Sequence, residues 1–383
     1  MKNAISFTRT ISFKLMLVGF LSLMLLIPAA WIRSIINERQ QRSQEVSKEI
    51  SSMWGEDQTI AGPVLSIPFK KFYDLEGKKT FLRTEVVHFL PELLDVDVKI
   101  DPSLRYRGIF KVVVFNAVIK VRGSFIPPDF KGLGINPEDV DVENAVLTFG
   151  IPDMRGILHD VQFKWNENQI AVAPGSVYKG IIHSGFHVNL NKNDISTDKS
   201  SAFSMDLSLN GSNSFGFYPL GKTTNVSIRS SWTDPGFEGA FLPTNRNINE
   251  SGFDANWQVT HLNRNFPQFW LNDEYDLKGS SSGVGFILPV NHYQKSERSS
   301  KYAIMFIALT FLLFLLIEIL NKKRIHPIQY LLVGFAIILF YILLVSISEQ
   351  MAFNQAFLIS SLAIILHKKP IYHLRPFRRA YLY

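Results

Sequence analysis

The chain has no cysteine. Disulfides are therefore excluded, as is every metal centre built on thiolates. A domain of a few hundred residues holds together by burying its own core, so the fold needs no such staple. Also missing is any long apolar run between Arg33 and Lys301, and any helical periodicity beyond about three turns between Gly62 and Ser300. Acidic residues are absent from three short segments rich in positive charge. The first holds Lys2, Arg9 and Lys14, the second Lys322, Lys323 and Arg324, and the third Lys368, Lys369, Arg375, Arg378 and Arg379. Outside these segments 29 basic residues face 33 acidic ones, so the net charge of +7 belongs to the segments alone. That distribution argues against a basic surface for nucleic acid, which is not an expected partner.

Each of these segments flanks an apolar run. Residues 15–32, 302–320 and 328–347 are almost unbroken apolar stretches, and a bilayer core takes about 20 apolar residues per helix. Residues 351–366 are also apolar but number only 16, short for a tilted helix, so the chain has three or four spans. The lipid bilayer is its first expected partner. Lysine and arginine collect on the cytoplasmic side of spans. By this rule the N-terminus, residues 322–324 and the tail 367–383 are cytoplasmic, and the stretch from about Asn37 to Ser300 lies across the membrane. A cytoplasmic tail requires an even number of crossings, which a fourth span at 351–366 supplies. Residues 15–32 also admit a second reading, a cleaved signal peptide. Pro28-Ala29-Ala30 imitates a cleavage site poorly, the run exceeds an ordinary signal core, and Trp31 follows as an interfacial aromatic would; all three favour an uncleaved anchor.

Residues 33–61 are polar, with Ile36, Val46, Ile50 and Met53 at helical spacing, and predict a juxtamembrane helix. From 62 to 300 the texture is short β-type runs broken by Gly, Pro, Asn and Ser. Residues 64–73 and 80–89 flank Asp74-Leu75-Glu76-Gly77 as a hairpin, and 95–100 alternate charged and branched residues with the period of a half-buried strand. Further strands are expected at 109–121, 145–149, 161–165, 180–190, 203–209 and 224–232. The predicted class is a membrane protein whose α-helical spans carry a large β-rich periplasmic domain of antiparallel, sandwich-like sheets.

Motifs for chemistry are few. Gly216-Phe217-Tyr218-Pro219-Leu220-Gly221-Lys222-Thr223 satisfies the P-loop pattern. A true P-loop offers successive backbone N–H groups to phosphate and then opens a helix. Here Pro219 removes one N–H, and the β-branched run Thr224-Asn225-Val226-Ser227-Ile228 reads as strand, so a turn between strands is expected and no nucleotide. Residues 180–190 read as strand, which would put His183 and His187 about 13 Å apart along one face, too far to share a zinc. His159 and His261 stand alone, there is no G-x-S-x-G elbow, and no cofactor is expected. In the spans, Glu318 and Glu349 are functional candidates because ionisable groups there are costly. Both lie within about a turn of a helix end, and Glu318 can pair with Lys322 at i+4. Trp257, Phe266, Phe269, Trp270 and Tyr275 are expected mainly in the core.

One block is distinctive: Arg324-Ile325-His326-Pro327-Ile328-Gln329-Tyr330-Leu331-Leu332-Val333-Gly334, followed by Phe340-Tyr341 and Leu344-Val345-Ser346-Ile347-Ser348-Glu349. With it go Gly62-Pro63-Val64-Leu65, Gly239-Ala240-Phe241-Leu242-Pro243, Asn263-Arg264-Asn265-Phe266-Pro267-Gln268, Pro289-Val290, Tyr293-Gln294-Lys295 and Arg298-Ser299. These residues resemble the CreD inner-membrane proteins of Gram-negative bacteria, from the first span to about Leu366. The resemblance implies an inner-membrane protein of envelope stress, tied in expression to a two-component system and supporting envelope integrity, with no catalytic residues to carry over. The family pattern continues into further hydrophobic helices. Here His367-Lys368-Lys369-Pro370 and a basic tail follow instead, as in a truncated or frameshifted end. The leading expectation is thus a non-enzymatic protein whose partners are the bilayer, envelope components or other inner-membrane proteins. Two alternatives remain open: a lipid- or peptidoglycan-handling module or enzyme anchored to the membrane, and a small-solute transporter subunit. The one turn singled out for function is His326, Pro327, Gln329 and Tyr330, with Pro327 starting a helix. Its plain reading is a capped turn between helices, with Tyr330 as an interfacial anchor.

Overall fold

The computed structural model describes residues 11–75, 78–196, 198–277, 279–288, 292–321 and 325–368. Outside the described residues lie Lys2, Arg9, Glu76 and Gly77 of the expected hairpin, Pro289 and Val290, Lys322, Lys323, Arg324, and the tail from Lys369. The chain divides into two compact units, one made of Met1–Glu45 with Pro289–Tyr383 and the other of Val46–Leu288.

The first unit is helical. Its described helices are α1 (Ile11–Met24), α2 (Leu26–Trp54), α3 (His292–Lys301), α4 (Ala303–Asn321), α5 (Pro327–Ser348) and α6 (Phe353–Lys368). Helix α1 ends where Pro28 has its clash, because a proline ring meets the carbonyl four residues back, here Met24. The break is slight, since Leu25 and Ala29 still donate to Leu21 and Leu25. Helix α2 runs unbroken to Trp54, and the division between units falls within it. Among the described residues, three helical stretches are long and apolar enough to cross a membrane: Leu15–Trp54, Lys295–Asn321 and Pro327–Ser348; Phe353–Leu366 is shorter. Leu25, Ile36, Ile307, Phe311, Ile338 and Leu344 form the inner seam. The outward residues, such as Phe20, Leu312, Leu316 and Leu339, are apolar as well. Helices apolar all round are what hydrocarbon on the outer face requires.

The second unit is β-rich. Its strands are β1 (Gln58–Leu75), β2 (Lys78–Phe89), β3 (Leu93–Arg107), β4 (Phe110–Phe125), β5 (Ala145–Gly150), β6 (Gln162–Trp165), β7 (Asn168–Gln169), β8 (Ala173–Pro174), β9 (Gly185–Leu190), β10 (Ser201–Ser212), β11 (Ser214–Phe217), β12 (Thr223–Ser230), β13 (Pro235–Gly239), β14 (Asn245–Asn249), β15 (Gly252–Thr260), β16 (Phe269–Leu271) and β17 (Ser282–Phe286). Among the described residues they make two sheets. One runs β13-β17-β11-β1-β5-β9-β8, with β2 on β1 and β16 on β2; the other runs β14-β15-β12-β3-β4-β10-β6-β7. Aromatic contacts join the sheets: Phe115 meets Phe215 and Phe286, Phe149 meets Phe163, and Phe217 meets Trp257. The alternation expected at 95–100 is present, with Val96, Val98 and Ile100 buried in this core.

Two details differ from the expected antiparallel layout. Strand β1 pairs β11 in parallel over 58–60, and β3 pairs β12 in parallel over 93–100. Side-chain alternation has the same period in either direction, so the sequence pattern is blind to it. The strand expected at 180–190 begins only at Gly185, and His183 sits in an exposed bend before it. The 13 Å strand separation therefore does not describe that histidine pair.

Candidate functional site

Helix α5 opens on a built cap. His326 has extended backbone angles, and its Nδ1 accepts the N–H of Ile328 at 3.3 Å. Gln329 Oε1 accepts the His326 N–H at 3.2 Å, closing a capping box, while Pro327 occupies the first turn, where a missing N–H costs nothing. Tyr330 then points inward, 3% exposed, against Phe311 and Phe314 edge to face at 5.5 and 5.9 Å. Its hydroxyl donates to Glu318 Oε2 at 3.3 Å, and Glu318 is itself only 5% exposed. Glu318 and Tyr330 thus form a buried polar pair at one end of the α4–α5 hairpin. The alternative partner, Lys322, lies outside the described residues.

Glu349 lies at the other end of α5. Its Oε1 is 3.6 Å from Arg39 Nε, and the neighbouring Ser348 shares a 3.3 Å hydrogen bond with Ser296. Between Tyr330 and Glu349 the helix rises roughly 28 Å at 1.5 Å per residue. The structure therefore joins His326, Pro327, Gln329, Tyr330 and Glu318 in one cluster and leaves Glu349 in another.

The P-loop-like segment runs from β11 into β12. Lys222, the residue that would meet phosphate, pairs with Glu92 at 2.7 Å and donates its N–H to Pro91. The Gly221 N–H donates to Thr224 Oγ1 at 2.9 Å. A strand follows, so the segment does not open a helix whose N-terminus could meet phosphate. His187 Nδ1 lies 2.7 Å from the Gly175 carbonyl oxygen, and no group of three or more His, Asp or Glu among the described residues has metal-binding geometry.

The β-rich unit holds a polar pair that the sequence reading missed. Ser66 Oγ and His88 Nδ1 are 2.8 Å apart, and both residues are 1% exposed. Tyr178 and Trp270 pack on the imidazole at 5.7 and 5.8 Å. Burial pushes the His88 imidazole down to about 4, so it stays neutral near neutrality. The pair is a cross-strand couple set by the β1–β2 register. Its one sequence signal was polar residues inside otherwise apolar runs, Ser66 between Leu65 and Ile67 and His88 between Val87 and Phe89. Under its aromatic cover, Ser66 is a core hydrogen-bond partner rather than an open nucleophile.

The family model for "Inner membrane protein CreD" matches residues 10–375. The chain belongs to the CreD family. The match takes in every described helix and both sheets. Inner membrane protein CreD of Escherichia coli (strain K12) is 32% identical to it over 347 residues, covering 89% of this chain and 76% of that protein. Membership makes this an inner membrane protein with several candidate spans, and the relative's name states a location rather than a reaction.

Proposed function

We propose that this chain is a non-catalytic inner-membrane protein that supports envelope integrity under stress and whose expression is linked to a two-component system. Its helices hold the β-rich unit on the periplasmic side, with the N-terminus and residues 322–324 in the cytoplasm. The observation that carries this reading is the family match over nearly the whole chain, joined to a layout in which apolar helices precede and follow one β-rich unit in sequence. Charge placement supports the orientation.

A second reading, handling of envelope components, draws on one feature. The outer face of the second sheet carries a groove of about 790 Å³ lined by Asp95, Asp97, Lys120, Arg122, Asn225 and Gln258, among others. Deletion of the gene followed by lipid and muropeptide profiling separates the two. The proposed role predicts leaky cells with an unchanged profile. Accumulation of one lipid or muropeptide species would instead favour handling or chemistry.

A further inference from the structure

Arg264 is a buried cation without a counter-ion among the described residues. It is 8% exposed, and its guanidinium lies over the Phe266 ring at 4.5 Å. Nη2 donates to Gln268 Oε1, and Gln268 is fixed in turn by donating to the carbonyls of Leu90 and Pro91 at 3.3 and 2.8 Å. Nε and Nη1 are buried and meet no acceptor among the described residues. Burial is the one cause that lowers the guanidinium, to about 10, with no carboxylate acting against it.

The same Phe266 ring contacts Trp270 at 6.3 Å, and Trp270 is 3% exposed. Its Nε1 is a buried donor with no acceptor among the described residues. Three N–H-bearing nitrogens on two residues packed on one ring therefore lack acceptors, and one residue carries full positive charge. Burying an unpaired charge is strongly destabilising, whereas an oxyanion offers acceptors and the missing negative charge together.

We propose that Arg264 and Trp270 form a binding site for a phosphate-type oxyanion, the chemistry shared by free phosphate and a phospholipid headgroup. This goes beyond the proposed envelope role and does not depend on it. The test uses the full chain, purified in a neutral detergent without phosphate. Inorganic phosphate and, separately, dihexanoyl phosphatidylglycerol are titrated by calorimetry. At least one binds, and Arg264→Gln weakens it about tenfold or more, the loss expected for one charge-assisted bond. Trp270→Phe keeps the ring, removes the N–H and weakens binding several-fold. Binding of phosphate marks a free anion as ligand, and binding of the lipid alone marks a headgroup. Should Arg264→Gln fail to fold, Trp270→Phe decides. If neither probe binds the unaltered chain, or the folded variants bind as well as it does, the site does not exist.

Discussion

Three positions carry testable consequences at the scale of single residues. Gly334 lies where α5 approaches the break between α1 and α2, and α4, and a Cβ there would sit 2.2 Å from Leu25 Cδ1 and 3.1 Å from Phe311 Cζ. The Leu25 tip can swing aside for one methyl, so Gly334→Ala is mild, but Gly334→Leu overpacks the seam by about 1–3 kcal/mol. Thermal unfolding in detergent should therefore rank the two variants well apart. Tyr330→Phe removes the hydroxyl donated to Glu318 and costs about 1 kcal/mol, whereas Glu318→Gln keeps an acceptor and costs less. The same melts check that order.

His88 predicts a dependence on acidity. Its folded imidazole protonates near 4, against an ordinary value of 6.5. Between these values the unfolded chain binds the extra proton, so stability is complete above pH 6.5 and falls as the pH drops toward 4. The whole effect is about 3 kcal/mol. Unfolding midpoints measured across this window should fall steeply for the natural chain and more gently for His88→Gln. Equal slopes would mean that His88 is not buried neutral. The Ser66–His88 couple was not legible in the sequence because its members are 22 residues apart and meet only through the strand register. The Glu318–Tyr330 pair was half legible. Both residues stood out as polar groups at span ends, but their contact depends on how α4 and α5 face each other.

At the scale of elements, the His-Pro-Ile-Gln-Tyr block is foremost a helix start. His326 and Gln329 each satisfy one backbone N–H at the head of α5. His326→Ala and Gln329→Ala should each cost about 1 kcal/mol of helical-unit stability, and His326→Asn should restore most of it, because asparagine is among the strongest caps. If the turn has a function beyond capping, alanine replacements there cause an envelope defect at unchanged protein level. Equal loss of protein and phenotype would leave capping as its whole role. Strands were readable where one face is buried and the other wet, as in β3, whose buried valines alternate with Asp95, Asp97 and Lys99. They were less readable where both faces are covered. In β1, Val64, Leu65, Ser66 and Ile67 are all buried, so no alternation marks which face meets the opposite sheet. Parallel pairing of β3 with β12 was invisible for a different reason, since neighbours in a sheet are chosen by chain crossings far apart in sequence.

At the scale of the whole molecule, the account rests on apolar helices supplied by both ends of the sequence and a β-rich unit between them. The helical unit exposes apolar side chains on its outer face, as lipid contact demands, while the outer face of the second sheet carries charged and amide groups, as water demands. The absence of cysteine makes the arrangement directly measurable, because any thiol introduced is the only one present. Lys192, exposed in the β-rich unit, and Asn321, exposed at the end of α4, fall on opposite sides of the membrane in the proposed orientation. The decisive measurement is labelling of Lys192→Cys and Asn321→Cys by a membrane-impermeant maleimide in intact spheroplasts and again after lysis. A periplasmic β-rich unit gives full labelling of Lys192→Cys before lysis and labelling of Asn321→Cys only after it. The reverse pattern would contradict the orientation and, with it, the envelope role.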